Sequence, residues 1–350
     1  MNAQRRLPRK QQVWRVGRLS LVISPRLVTV TVVLLAATVA LGIVAMTVGT
    51  LRLSFSEVAA ALFGTSGNPQ YDRIVQNLRL PRVVTAIFAG AALGVSGAIF
   101  QSVSRNALGS PDVIGFTTGA ATGAIMQIVV FDADAVQVAL GAVSGGLLTA
   151  AVVYLLSRKG GTSGGYRLIL VGIGVGAVLA AVNDLLLVVG DLDQAISANL
   201  WRSGSLDART WTHALPVAVG TLVLVPLVLP LARQASLMEM GDDVAQQLGV
   251  RVERTRVLLM LAAVALAGLA TAAAGPIAFI ALAAPQLVAR LTRWRTMPVL
   301  SAAAMGACLL VLADVVTRLL PITAAVPIGR MTGIIGGLYL IWMLTRSKQV

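Results

Sequence analysis

The sequence predicts an all-α integral membrane protein of about ten transmembrane helices, with both termini in the cytoplasm. Three observations carry this. Of 350 residues, 57% are hydrophobic and 12% charged, against the roughly 25% charged of a soluble domain, and the mean hydropathy is +0.85. Apolar runs repeatedly reach the ~20 residues a helix needs to cross a hydrocarbon core, where a transmembrane β-barrel would show shorter alternating segments. The basic residues are spread unevenly between these runs, as the positive-inside rule requires of a multi-pass protein.

Residues 1–27 carry seven basic residues (Arg5, Arg6, Arg9, Lys10, Arg15, Arg18, Arg26) and no acid, which holds this tail in the cytoplasm. The tail is too long for a cleaved signal peptide, and the next run is also too long and lacks an A-x-A site. An uncleaved first helix is therefore expected, opening a single polytopic domain over residues 28–350. Spans are expected near 28–50, 83–102, 112–131, 136–157, 167–188, 212–232, 257–274, 278–289, 297–316 and 328–344. Even parity then places on the inside Arg105; Arg158, Lys159 and Arg167; Arg233, Arg251, Arg254 and Arg256; Arg290, Arg293 and Arg295; and Arg346 and Lys348. With the tail these make 20 of the 28 basic residues, an asymmetry that omitting one helix would spoil. The eighth span is short, preceded by Gly275-Pro276 and interrupted by Pro285. A broken helix of this kind is tolerated inside a bundle or beside a cavity.

Glycines recur at small-xxx-small spacing: Gly90 and Gly94, Gly172 and Gly176, Gly333 and Gly337. This spacing lets helix backbones approach closely where lipid removes the hydrophobic drive between them. Packing is the main expectation for all three pairs, and the second and third could also line a pore. Val95-Ser96-Gly97-Ala98-Ile99-Phe100 is echoed faintly by Ala274-Gly275-Pro276-Ile277-Ala278-Phe279 in a span of opposite direction, a trace of the inverted repeats that build many transporters.

Most chemistry is excluded. Cys308 is the only cysteine and His213 the only histidine, so a disulfide within the chain, a thiolate metal site and a Ser/His/Asp set are not expected. There is no Gly-x-x-x-x-Gly-Lys-Ser/Thr phosphate cradle and no HExxH. Neither catalysis nor a bound metal or cofactor is expected. The formal charge of +14 follows membrane topology, and no nucleic-acid partner is expected. Inside the spans the clearest charges are Asp184 and Asp314, fewer than an ion-coupled carrier usually needs. Asp314 also lies four residues before Arg318, the spacing of a helical ion pair.

Two polar segments remain. Residues 240–250 read as a short cytoplasmic helix: Gly241 precedes it, Asp242 and Asp243 suit its positive N-terminal end, Val244 and Leu248 form an apolar edge, and Gly249 takes the left-handed cap. A helix this short is unstable alone and must dock, either on the protein's own loops or on a partner. On the opposite side, Arg79 and Arg82 flank Pro81, which suits the first turn of the following helix. They either snorkel to lipid phosphates or pair with acids on an extracytoplasmic protein.

In order along the chain stand Leu78-Arg79-Leu80-Pro81-Arg82, Gly97-Ala98-Ile99-Phe100-Gln101 with Arg105-Asn106-Ala107-Leu108, Leu248-Gly249-Val250, Ala274-Gly275-Pro276-Ile277-Ala278-Phe279-Ile280, Leu312-Ala313-Asp314 and Pro327-Ile328-Gly329. From about residue 70 onward the set resembles the FecCD-type permeases of bacterial ABC importers for ferric siderophores, haem and vitamin B12. The resemblance implies a vitamin B12-permease-like bundle of ten helices in the bacterial cytoplasmic membrane. It also implies a second permease subunit, two cytoplasmic ATPases and an extracytoplasmic siderophore-binding protein. On it, Arg79, Arg82 and Arg318 would meet acids of the binding protein. Gly241, Asp242, Val244, Gln247, Leu248, Gly249 and Val250 would seat in the ATPase, and Gly164, Gly165 and Tyr166 would form the cytoplasmic gate. Gly172, Gly176, Arg330 and Gly333 are the expected pathway lining.

The chain departs from the family pattern in three places. Gln286 stands where many members have histidine, and residues 279–286 look more like subunits importing catecholate-type ferric siderophores. Gly336-Gly337-Leu338 replaces a frequent Gly-Ala-Pro, and Arg330 replaces an apolar residue; near the outer pathway it either attracts an anionic chelate or snorkels. The expected function is the permease subunit of an ATP-driven importer of ferric siderophores, with a heterodimer of permeases favoured. A vitamin B12 or haem permease is the alternative, an ion-coupled carrier using Asp184 or Asp314 a more distant one, and a membrane scaffold without transport a third.

Overall fold

The computed structural model describes residues 12–16, 19–49, 51–112, 114–159, 162–163, 165–293, 296–320 and 326–346. The chain opens with a small antiparallel hairpin, β1 (Gln12–Val16) and β2 (Leu19–Ile23), inside the basic tail. Pro25 then starts α1 (Pro25–Thr47), a peripheral helix with only 11% of its apolar window buried. Ser54 and Glu57 form a capping box on α2 (Phe55–Leu62), satisfying amide groups that a helix start leaves open. The short α3 (Pro69–Arg73) runs through a π-helical turn (Ile74–Arg79) into α4 (Leu80–Ser104).

The bundle is organised around α4. Of the apolar window in the continuous stretch Pro69–Ser104, 83% is buried, so most of its circumference faces protein. The rest of the chain supplies α5 (Phe116–Val129), α6 (Ala135–Ser157), α7 (Gly165–Val189), α8 (Leu192–Arg202), α9 (Trp211–Met238), α10 (Asp242–Gln247), α11 (Val252–Ala274), α12 (Ile280–Thr292), α13 (Val299–Leu319) and α14 (Ile328–Arg346). Around α4 pack α9, α11, α12 and α13, while α5, α6 and α7 form an adjoining group.

Glycine makes this packing close. A Cβ on Gly90 would strike the carbonyl of Gly306, one on Gly94 that of Ala302, and one on Gly97 that of Ala281. The first small-xxx-small pair therefore does what the spacing predicts. Gly176 approaches Gly115 and Thr118, and Gly172 lies against Gly115 as well, while a Cβ on Gly333 or Gly337 would meet no other part of the described structure within 4 Å. The C-terminal helix packs instead through Gly336, whose α-carbon lies against Phe279. Polar bonds reinforce the core, where an unmade one is costly: Ser96 Oγ donates to the Ala263 carbonyl at 2.7 Å and Gln101 Nε2 to that of Leu282 at 3.0 Å.

Each of the ten expected spans falls on a helix, though of unequal length. Among the described residues, seven helices are long and apolar enough to cross a membrane, and three apolar helices are shorter: Phe116–Val129, Ile280–Thr292 and Ile328–Trp342. The all-α expectation holds for the bundle: besides the tail hairpin, a second one, β3 (Arg158–Lys159) with β4 (Thr162–Ser163), joins α6 to α7, and neither lies within an apolar helix. One expectation needs correction. The echo of 95–100 in 274–279 is not a pair of like helices. Residues 95–100 are buried helix, whereas 275–279 form a helix break, with Gly275 at φ +71 and Phe279 at φ +68. The α9 helix runs through Pro216, Pro226 and Pro230.

Gly94→Val should therefore destabilise the bundle by ~1–3 kcal/mol through overpacking, seen as a lower thermal midpoint in detergent. Gly333→Ala should leave that midpoint unchanged.

Candidate functional site

The polar residues gather at the two ends of the bundle. At one end, Asp314 on α13 is 1% exposed and serves two arginines. Its Oδ1 accepts from Arg82 Nε at 3.0 Å and Nη2 at 2.7 Å, and its Oδ2 from Arg318 Nη2 at 2.5 Å. The remaining Nη1 of Arg82 donates to Asp207, in the loop between α8 and α9. Arg318 Nη1 turns to the Ala45 carbonyl at 2.9 Å, and Arg79 donates to the carbonyls of Met46 and Leu51. Cations thus meet the open carbonyls at the end of α1, where the helix dipole favours them.

Arg79 was expected to present its charge outward, but it is buried and acts as a brace on the chain leaving α1. Arg82 and Arg318 keep partial exposure, at 19% and 12% of their side chains. The ion pair read from the spacing of Asp314 and Arg318 is present. Asp184, the other expected intramembrane charge, is 73% exposed and lies 3.6 Å from Arg202. Sequence reasoning missed Asp207. An acid beside a turn of small residues carries no local signal, because its partner is 125 residues away.

At the opposite end, α10 is held by charge. Asp242 at its first turn bridges Arg105, the left-handed residue closing α4, and Arg256 on α11, the latter at 2.8 Å. Arg256 also bonds Glu253 at 3.0 Å, and Glu253 accepts from the Tyr154 hydroxyl on α6. Glu239 accepts from Ser102 Oγ at 2.6 Å. Burial raises the Glu239 carboxyl above its usual range, while the Ser102 hydrogen bond and the Arg105 charge pull it back.

The apolar side of α10 is split. Ala245 and Val250 are buried against Met238 and Val252, whereas Met240, Val244 and Leu248 are 68%, 40% and 59% exposed. Gln247 is also exposed, and Gly241 and Gly249 take the positive φ values of +125 and +84 that suit glycine. The expected edge of Val244 and Leu248 is thus exposed. A cleft of about 350 Å³ lies beside this end, lined in part by Gln101, Ser102, Arg105, Glu239 and Pro285.

The other expected residues are dispersed. Gly164 lies outside the described residues; Gly165 opens α7 and Tyr166 is 79% exposed. Arg330 is exposed at the start of α14, and Gly333 follows one turn later. Gln286 is buried and donates through Nε2 to the Ala107 carbonyl. Among the described residues no three metal-ligating side chains cluster.

A model of the FecCD transport family matches residues 33–346. The ferric enterobactin transport system permease protein FepG of Escherichia coli K12 is 43% identical over 327 residues, covering 93% of this chain and 98% of that protein. The achromobactin transport system permease protein CbrC of Dickeya dadantii is 36% identical, covering 96% and 97%. The hemin transport system permease protein HmuU of Yersinia pestis is also 36% identical, covering 93% and 98%. Among solved structures, an inward-facing ABC transporter described as metal-chelate type matches with a TM-score of 0.81 at 26% identity, covering 91% of this chain and 99% of that one.

Asp314→Asn would leave the largely buried Arg318 without a carboxylate and Arg82 with only the exposed Asp207, a change that costs ~3–5 kcal/mol and should lower the thermal midpoint sharply. Asp184→Asn, at an exposed position, should shift stability by less than ~0.5 kcal/mol.

Proposed function

The chain belongs to the FecCD transport family, and on that premise we propose that it is the permease subunit of an ATP-driven importer carrying ferric siderophores across the bacterial cytoplasmic membrane. The observation that carries the substrate class is the 43% identity to the ferric enterobactin permease over almost its full length. The chain is not itself an enzyme: ATP hydrolysis belongs to a separate subunit.

The bundle crosses the membrane ten times with both termini inside, the three shorter helices buried among or leaning on the seven long ones. Arg82 and Arg318 then lie on the outer face and receive acids of the siderophore-binding protein, with Arg79 bracing the same corner from within. The exposed edge of Met240, Val244 and Leu248 seats in the cytoplasmic ATPase, with Gly241, Asp242, Gln247, Gly249 and Val250 shaping that contact. ATP-bound and ATP-free ATPases dock differently, and that difference biases the bundle between access states. Gly164, Gly165 and Tyr166 form the inner gate. A second permease subunit, preferably a different chain, completes the pathway along Gly172, Gly176, Arg330 and Gly333. The chelator carries the iron, so no resident metal is required.

The similarity to a hemin permease supports haem as the second reading of the substrate, ahead of vitamin B12. Ion-coupled transport finds less support, because Asp314 is committed to two arginines and Asp184 is exposed beside Arg202.

Uptake of radiolabelled iron from a siderophore panel, with haem and labelled vitamin B12 beside it, should be lost for a ferric catecholate when the gene is deleted and regained on its restoration. Loss of haem uptake alone would establish the second reading. Charge reversal at Arg82 and Arg318 should weaken binding-protein association at least tenfold while ATPase assembly persists; loss of both would indicate misfolding. Val244→Asp with Leu248→Asp should abolish uptake and ATPase coupling, and normal uptake would remove α10 from the coupling role.

A further inference from the structure

The Arg82 guanidinium spends two of its nitrogens on buried Asp314 and the third on Asp207. These bonds are of different kinds. The Asp314 pair is enclosed, and breaking it strands buried charge. The Asp207 side chain is 52% exposed, and an ion pair so open to water is weak and readily exchanged. An acid from another protein can therefore take the outer nitrogen without disturbing the inner pair.

What Asp207 is attached to gives that exchange a consequence. Its loop is preorganised: Ser205 Oγ accepts from the Asp207 amide at 3.0 Å, and Arg209 Nε donates to the Ser205 carbonyl at 3.0 Å. The Ser205 amide donates to the Ala274 carbonyl at 2.8 Å, at the end of α11, and the Gly329 amide to the Gly204 carbonyl at 3.4 Å, at the start of α14. Three glycines meet here. Gly204 lies against Pro276 and Gly329, Gly275 against Trp201 and Gly204, and Gly329 against Ser203 and Pro276. The contacts are backbone on backbone, so no side chain is present to absorb a shift of the loop. The helix break before α12 and the first turn of α14 must follow it.

We propose that Asp207 is an internal substitute for a carboxylate of the docking protein, displaced from Arg82 when that protein binds, and that the freed loop passes the event to the 275–279 break and to α14. The partner chemistry is an acidic surface with an Asp or Glu side chain able to reach Arg82 Nη1, where a charge-assisted bond replaces the internal one. Two carboxylates at one guanidinium nitrogen repel, which drives the loop away. The proposal rests on the docking reading of Arg82 given above.

The test uses the assembled importer in nanodiscs, with a ferric-catecholate-binding protein as probe, comparing wild type with Asp207→Asn, Asp207→Glu and Arg82→Glu. Asp207→Asn removes the competitor without removing the receptor, so the probe should bind about two- to fivefold more tightly and probe-independent ATP hydrolysis should rise. Asp207→Glu should return both towards wild type. Unchanged or weaker binding in Asp207→Asn, with Arg82→Glu abolishing association while ATPase assembly persists, would overturn the competition. Tighter binding with unchanged basal hydrolysis would overturn the transmission to the helix break. Association that survives Arg82→Glu would instead remove the docking reading itself.

Discussion

The close approach of α4 to α13 and α12 is the constraint on which the rest of the molecule depends. Lipid offers no hydrophobic reward for bringing helices together, so the contact must come from shape and from hydrogen bonds. Gly90, Gly94 and Gly97 let the α4 backbone touch the carbonyls of Gly306, Ala302 and Ala281. Substituting any one of the three puts a carbon where an oxygen already is. With α4 seated, Ser96 and Gln101 can reach the carbonyls of α11 and α12, and the remaining helices pack outward from it.

The same helix joins the two polar ends. Near its first turn stands Arg82, shared between a buried acid and an exposed one; its last residues include Ser102, and Arg105 closes it, the pair engaging Glu239 just before α10 and Asp242 at its start. A single buried helix thus carries a charged group at each mouth, and each group bonds a segment outside the bundle core. Such a member transmits displacement along its axis with little internal give, because its circumference is packed and interiors of this density resist deformation.

The spans were legible because a 20-residue apolar run has few other meanings. So was the weak point before α12, since Gly275-Pro276 cannot continue a helix. Residues 241–249 were readable from glycines, acids and an apolar edge, each of which acts within one turn. The Asp314 to Arg318 pair was readable for the same reason. What escaped was everything fixed by distant partners. Arg79 and Arg82 look alike in sequence, yet one is buried under α1 and the other faces Asp207, because the choice is made by carbonyls 28 and 33 residues away and by acids 125 and 232 residues away. The strands of the tail hairpin escaped because charge dominated the reading of residues 1–27, although Val13, Trp14, Val22 and Ile23 favour extended backbone.

The three prolines of α9 bear on how this helix can bend. This helix leads from the Asp207 loop directly into α10. Each internal proline removes an amide donor and eases the preceding turn open. With one near the start and two in the second half, α9 is a jointed rod beside the stiff α4. A change of angle between its ends would fall at positions where no backbone hydrogen bond exists to be broken, so α9 would take up a tilt as a bend instead of a fracture.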